Sequence, residues 1–278
     1  MMENHKQASA VAEDYYDSDD AVRFYLDVWG GEDIHVGLYK SEDEAIRDAS
    51  IRTVETIADM LDLPKGAHVV DLGAGYGGGA RWMVRNRDWK VTCVNIADKQ
   101  NEINRQLNAK AGFHDEIEVI HGSFNEVPAE DGAFDAMWSQ DSFLHGGDRQ
   151  GIIEECARIV KPGGDIIFTD PMKADDADDG ELQPILNRIR LSSLASVAFY
   201  REAAKKAGLV EVDVREYPDQ LGRHYGRVRE ELIKDRENIE KTVSTEYIDN
   251  MIEGLGHWVD GAATGKLNWG ILHFRKPE

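Results

Sequence analysis

Residues 69–79 read Val-Val-Asp-Leu-Gly-Ala-Gly-Tyr-Gly-Gly-Gly, and no other stretch of the chain constrains its fold as tightly. Two β-branched residues lead into an acid, Asp71, and then into a dense run of glycines. A buried strand that enters a glycine loop at a helix start is a nucleotide-binding turn. Glycine serves where backbone turns with positive φ, or where a ligand lies against the main chain. Two templates fit at once. Gly73, Gly75 and Gly78 satisfy the dinucleotide pattern G-x-G-x-x-G. Gly73, Gly75 and Gly77, with Asp71 two residues ahead, satisfy a second, alternating pattern. The rest of the chain has to choose between them.

Hydrophobic periodicity supplies the frame around this loop. Ser41 and Glu44 read as a capping box at the start of a helix that carries Ile46, Val54, Ile57 and Leu61 and ends before Pro64. Strands are expected at 67–72, 90–96, 116–121, 134–139 and 165–169, with helices at 77–86, 99–111 and 149–160 between them. Lys161-Pro162-Gly163-Gly164 reads as a tight turn. Strands alternating with helices predict an α/β fold with a doubly wound, mainly parallel sheet. Ligands then belong at the carboxyl ends of the strands.

After Pro171 the pattern loosens. An acidic loop at 175–181 precedes a helical stretch at 182–207, which stops at Gly208. A short strand at 209–214 and a closing strand at 267–274 bring the sheet to seven. The segment 219–263 is polar and helical, and about 45 residues is too long for a turn. It reads as a helical lid or an oligomerisation arm. The expected organisation is one domain over 1–278: an N-terminal flap and helix at 1–64, a nucleotide-binding core at 65–170, and a substrate-side half at 171–278.

Composition narrows the class. Asp and Glu outnumber Lys and Arg 53 to 32, a net charge of −21, which argues against nucleic acid as a partner. No apolar run is long enough for a membrane span, and residues 1–16 lack the apolar segment of a secretory signal. A cytoplasmic monomer or homodimer is expected. Cys93 and Cys156 show no metal-ligand spacing, and no metal is expected.

The dinucleotide reading calls for an acid at the end of the second strand, about 20 residues past the glycines. That position holds Asn95, a neutral group that still hydrogen-bonds two hydroxyls. Other motifs separate the templates. The 157–164 stretch, Ala-Arg-Ile-Val-Lys-Pro-Gly-Gly, resembles the helix end and turn before the fifth strand of class I S-adenosylmethionine (AdoMet) methyltransferases. Residues 134–141, Phe-Asp-Ala-Met-Trp-Ser-Gln-Asp, resemble their fourth strand, and Gly122-Ser123-Phe124 falls where those enzymes clasp adenine. A finer resemblance runs from about Tyr15 to Phe274. It rests on Tyr25…Trp29-Gly30…His35-Val-Gly37-Leu-Tyr39, Asn95-Ile96, Trp138-Ser139-Gln140-Asp141, Thr169-Asp170-Pro171-Met172 and His257-Trp258. Together these resemble the sarcosine/dimethylglycine N-methyltransferases, which make glycine betaine.

The resemblance implies a Rossmann-like sheet, AdoMet as methyl donor and a small methylated amino acid as acceptor. Asp71, Gly73, Ala74 and Gly75 are expected along the methionine and ribose portions, with Asn95, Ile96 and Gln100 at the ribose and adenine. Ser123 and Phe124 are expected at the adenine, and the Ser139 backbone at the methionine part. Gln140, Asp141 and His145 are the expected catalytic residues. Asp141 either attracts the acceptor ammonium or caps the next turn. Tyr25, Tyr39, Trp138, His145, Tyr225 and Trp269 are candidates for an aromatic cage, each of a kind more often found in the core. Pro171 and Met172 are expected to wall the pocket, with the proline ending the strand ladder. Lys173, Arg190 and Arg201 are the cations available for an acceptor carboxylate, with Arg190 favoured, and His224-Tyr225 is expected to bring a lid residue to the substrate.

Two other readings remain open: another small amine, phosphoethanolamine or tocopherol-like acceptor on the same fold, and a nicotinamide-dependent oxidoreductase. Whether glycine itself is accepted is also open. The acid excess matches adaptation to high salt, where screening relieves self-repulsion. The melting temperature is therefore expected to rise between low and molar KCl; a flat thermal-melt series would refute this.

Overall fold

The computed structural model describes residues 18–29, 31–189 and 191–278. Tyr15, Tyr16, Gly30 and Arg190 lie outside the described residues. Seven strands form one sheet: β1 His68–Leu72, β2 Lys90–Asn95, β3 Ile117–His121, β4 Phe134–Gln140, β5 Val160–Lys173, β6 Val210–Glu216 and β7 Leu267–Arg275. Their order is β3-β2-β1-β4-β5-β7-β6, with β7 antiparallel to both neighbours. The expected seven-stranded, mainly parallel Rossmann-like sheet is present. Central strands read as apolar runs because helices cover both faces: Val69, Val70 and Leu72 of β1 are all fully buried.

In chain order the helices are α1 Asp19–Phe24, α2 Ile46–Ala58, α3 Gly78–Arg87, α4 Asp98–Ala111, α5 Arg149–Ile159, α6 Gln183–Arg188, α7 Val197–Lys206, α8 Pro218–Lys234, α9 Arg236–Ile239 and α10 Thr245–Ala263. A π-helical turn, Tyr25–Trp29, follows α1, and a 3₁₀ turn, Phe143–His145, follows β4. The segment 219–263 is helical as expected. Leu221, Tyr225, Val228 and Leu232 of α8 and Ile248, Met251, Leu255 and Trp258 of α10 bury one apolar stripe each. They share a cluster with Phe24, Tyr25 and Trp29, so chain start and late helices pack together.

Local expectations fail at four places. The helix expected from Ser41 begins at Ile46, after Ala45, which makes no side-chain cap. Glu44 forms no capping box; it pairs with Arg52 of α2 and accepts from the Lys40 N–H at 2.7 Å. A bidentate guanidinium outcompetes the neutral helix terminus for that carboxylate. The helix expected at 182–207 is broken into α6 and α7. Ser196 caps α7 by accepting from the Phe199 N–H, and the intervening chain is tied to β5 through Lys173 N–H to Ala195 O at 2.9 Å.

The turn at 161–164 is absorbed into β5 as an irregularity, with Val160 opposite Phe134 and Asp165 opposite Ala136. Pro171 does not end the ladder: it pairs with Trp269, and the strand runs on to Lys173. Thr169, two residues earlier, accepts from the Asp141 N–H. Pro171 therefore turns its missing N–H to the side where β4 has already ended, and no bond is lost.

Arg81 of α3 ties this frame to the glycine loop. Its side chain is 3% exposed. It donates to Tyr76 O (2.6 Å), Asn104 Oδ1 (3.1 Å), Asn108 Oδ1 (2.7 Å) and Glu32 Oε2 (2.9 Å). This explains why the buried face of α4 is polar: Asn104 and Asn108 serve the guanidinium. Arg81→Met keeps the volume and strands these acceptors. Urea denaturation should show a loss of about 3 kcal/mol; a change below about 1 kcal/mol would reject the tie.

Candidate active site

A cleft opens at the carboxyl ends of β1, β2, β4 and β5, in three connected chambers. The first, about 510 Å³, is lined by Gly73, Gly75, Asn95, Ile96, Ala97, Gln100, Phe124, Gln140, Asp141, Ser142 and His145. The second, about 320 Å³, is lined by Glu32, Asp33, His35, Asp71, Gly73, Ala74, Gly78, Gly79 and Gln140. The third, about 510 Å³, is lined by Tyr25, Trp29, His35, Val36, Asp141, Leu144, His145, Pro171, Ile189, Tyr225 and Trp258. Ile34 stands in the wall of all three, so they form one cleft partitioned by that side chain.

The glycine loop is shaped by close approach. Gly73 adopts φ +77°, and a Cβ there would collide with the Ser142 side chain. Gly78 opens α3, and a Cβ there would meet Asp33 and the Glu32 carbonyl. The N-terminal loop thus lies directly on the helix start. Asp71 faces the second chamber from β1. Burial pushes its carboxyl up to about 7, against the opposing charge of His35.

At the end of β2, Asn95 Nδ2 donates to Gln100 Oε1 at 3.0 Å. Gln100 Nε2 and Gln140 Nε2 are buried without a hydrogen-bond partner. Buried donors of this kind are rarely left unmet in a native protein. Two orphan amides in the walls of a glycine-lined chamber fit a polar ligand that the chamber is built to receive.

Asp141 joins the chambers. It sits at φ +51°, a conformation that Asp and Asn tolerate better than most residues. Its Oδ2 accepts from the Val36 N–H at 2.6 Å; its Oδ1 accepts from Trp269 Nε1 and Thr169 Oγ1, both at 2.7 Å. Burial holds its carboxyl above the usual range, with His35 and these hydrogen bonds opposing. Asp141 therefore neither caps a turn nor stands free; it pins the N-terminal loop to the sheet. Trp269 spends its ring N–H on this carboxylate and lines none of the three chambers.

The third chamber has aromatic walls. Tyr225 stacks on Trp258 with centroids 4.8 Å apart, and Trp29 meets Tyr225 edge-on at 5.6 Å and Tyr25 at 5.2 Å. His145 lies between this chamber and the first, on the 3₁₀ turn. That turn is clamped from both sides: Asp170 Oδ1 accepts from the Leu144 N–H (2.9 Å), while Arg149 donates to the Leu144 carbonyl (2.7 Å).

Several expected residues fall elsewhere. Trp138 is fully buried on β4, in the cluster with Val69 and Ala80, and donates to Gln140 Oε1 instead of facing a chamber. Met172 points opposite to Pro171 and packs with Phe168. The Ser139 hydroxyl is spent on Leu72 O at 2.7 Å, which leaves only its backbone, as expected of it, for a ligand. The Ser123 hydroxyl accepts from the Asn125 N–H within its own turn, and only Phe124 of that pair reaches the cleft. Tyr39 stands behind the wall, its hydroxyl 2.9 Å from His224 Nδ1. Lys173 pairs with Asp179 and Arg201 with Glu211, which commits both cations. Ile34, His35, Val36, Leu144, Ile189, Trp29 and Trp258 line the cleft without having been singled out as site residues. Trp29, His35, Val36 and Trp258 did stand in the family motifs.

A methyltransferase-domain profile matches residues 70–168. The chain is 48% identical over 275 residues to the sarcosine/dimethylglycine N-methyltransferase of Aphanothece halophytica, covering 98% of this chain and 99% of that protein. It is 46% identical over 271 residues to that of Halorhodospira halochloris, covering 97% of each. A crystal structure of a Galdieria sulphuraria protein assigned as a sarcosine dimethylglycine methyltransferase superposes with a TM-score of 0.90 at 48% identity, over 95% of this chain and 99% of that one. A nicotinamide-dependent oxidoreductase is thereby set aside, and the chain belongs to the sarcosine/dimethylglycine N-methyltransferase family.

Proposed function

We propose that this chain methylates the nitrogen of sarcosine and of dimethylglycine with AdoMet, yielding glycine betaine. The observation that carries the acceptor is the aromatic chamber of Tyr25, Trp29, Tyr225 and Trp258, which shares Asp141 and His145 with the glycine-loop chamber. Aromatic faces hold methylated and developing ammonium groups. A phosphorylated acceptor is disfavoured: among the described residues of the aromatic chamber there is no Lys or Arg.

AdoMet supplies, when bound, a methyl group on a sulfonium. Asn95 and Gln100 suit the ribose hydroxyls, and Ile96, Ala97 and Phe124 the adenine. Gly73, Ala74 and Gly75 give the methionine portion close access to backbone, and Asp71 suits its ammonium. Catalysis rests mainly on alignment. The Asp141 carboxylate, in the walls of both the first and third chambers, fixes the passage between donor and acceptor, and the Gln140 amide stands between the first and second chambers. His145 is placed to take a proton from the acceptor ammonium, which frees its lone pair. In this reading the described residues of the N-terminal part, from 18 to 64, and helices α8 to α10 serve as flap and lid over this passage. Incubation of the protein with AdoMet and dimethylglycine should yield betaine; no product at any salt concentration would sink the assignment.

Two further outcomes follow from the geometry. In Asp141→Asn the left-handed backbone remains tolerable, but an amide donor must face either the Val36 N–H or Trp269 Nε1. A buried donor set against a donor costs about 1–3 kcal/mol. The kcat/KM for dimethylglycine should fall about tenfold to a hundredfold, and activity within about twofold of wild type would remove Asp141 from this role.

Asp71, raised to about 7, binds a proton in the folded state that the unfolded chain releases near its ordinary value. Its contribution to stability therefore falls as pH rises from about 4 to about 7. A ligand ammonium favours the ionised form and reverses that loss. S-adenosylhomocysteine should bind more tightly as pH rises from about 6 to about 8, with proton release in calorimetry at the lower end. Binding without proton release would take Asp71 out of the ammonium site.

A further inference from the structure

Both ligands of the proposed reaction carry a carboxylate: the acceptor amino acid and the methionine portion of the donor. Lys173 and Arg201 are committed to Asp179 and Glu211. Among the described residues lining the second and third chambers no Lys or Arg occurs, and His35 lines both.

The state of His35 follows from its contacts. Its Nδ1 lies 3.2 Å from the Val36 carbonyl. A carbonyl only accepts, so Nδ1 carries a hydrogen and Nε2 is the variable atom. Nε2 is buried without a hydrogen-bond partner. Asp33 Oδ1, at 3.8 Å, is close enough for Coulomb attraction and too far for a hydrogen bond. Burial lowers the pKa of the ring, and Asp33, Asp141 and the Val36 carbonyl together raise it by more. The groups around it are Asp33 on its own loop, Asp71 from β1, Asp141 after β4, His145 on the 3₁₀ turn and His224 from α8. His224 is held neutral, since burial pushes it down to about 3. His35 is thus a buried ring whose Nε2 is unspent, and when protonated it presents a donor there, an arrangement that proteins retain at a cost. Around it, three acids would repel any ligand carboxylate that lacked a local cation.

We propose that His35 is the carboxylate-binding residue at the junction of the second and third chambers, its Nε2–H donating to a ligand carboxylate oxygen. The carboxylate belongs either to the acceptor or to the methionine portion of the donor. The inference rests on the function proposed above, and its test separates the two.

His35→Gln and His35→Asn replace the imidazolium with a neutral amide. If the acceptor carboxylate is the ligand, the KM for dimethylglycine rises about tenfold or more, the loss expected of a charge-assisted bond. S-Adenosylhomocysteine affinity then stays unchanged. The preference for dimethylglycine over 2-(dimethylamino)ethanol, which lacks the carboxylate, shrinks by the same factor. If the methionine carboxylate is the ligand, S-adenosylhomocysteine binds about tenfold or more weakly. Methylthioadenosine, which lacks the amino-acid portion, then binds as before. Both affinities within about twofold of wild type in a folded variant would overturn the proposal.

Should both variants fail to fold, the wild-type pH profile decides. The KM for dimethylglycine should rise as His35 loses its proton, while the carboxylate-free analogue shows no such rise; on the donor side, the tightening of S-adenosylhomocysteine that ionisation of Asp71 brings should reverse where His35 titrates, and a Kd that only falls with pH would count against the donor carboxylate. Identical profiles for ligand and analogue would overturn the proposal. A wild-type enzyme inactive on dimethylglycine counts against the substrate alone, and the donor pair then decides the role of His35.

Discussion

Asp141 is the contact on which the cleft depends. Three donors from three distant parts of the chain converge on one half-buried carboxylate: Val36 from the N-terminal loop, Thr169 from β5 and Trp269 from β7. Each bond satisfies a polar group that would otherwise be buried unmet, so the three segments are held together or not at all. Closing the loop over the sheet is a long-range event with a large entropic cost, and these bonds help to offset it. The cleft walls contributed by Ile34, His35 and Val36 exist because this anchor holds.

A second constraint works from the other side. The loop that Asp141 holds at Val36 is also seated on the glycine run at Glu32 and Asp33, where Gly78 leaves no room for a Cβ. Arg81 then binds Glu32 and the Tyr76 carbonyl together. The glycines therefore do two jobs. Gly73 and Gly75 line the first chamber, and Gly78 admits a neighbouring segment of the chain. The template that first suggested a dinucleotide through Gly78 was reading a packing contact.

How much of this was legible in the sequence depends on whether a local period carried it. The strands and helices of the core, the glycine loop and Asn95 followed from alternation and spacing. The same period of two also divides adjacent residues between faces. It places Pro171 toward the cleft and Met172 away, and Gln140 toward it and Ser139 away. Trp138 shares a face with Gln140 but lies two residues, about 7 Å, back from the strand end, and so falls into the core. His35 and Trp29 carry no such signal, and the helical period of Trp258 marks it as buried without saying that it faces the cleft. They reach the cleft only when a non-periodic loop and a late helix close over the sheet, and nothing local specifies that closure. At Glu44 the opposite holds: a sound local rule lost to the Arg52 guanidinium, eight residues further on.

The charge of the chain acts at two depths. Among the described residues most of the acid excess lies at the solvated surface, where salt screens it. Asp33, Asp71 and Asp141 stand in or beside the cleft, with Asp71 buried and Asp141 half-buried, where screening is weakened. Their mutual repulsion and desolvation have to be answered from within. His35 answers part of it, and protonation of Asp71 another part. A cationic sulfonium and an ammonium entering this cleft would meet acids that the folded protein has kept short of counter-charge. Salt can therefore stabilise the exterior without relieving the cleft, whereas a cationic ligand relieves the cleft without altering the exterior. The two forms of stabilisation are separable because the low-dielectric walls that raise the acids also isolate them from the surrounding ions.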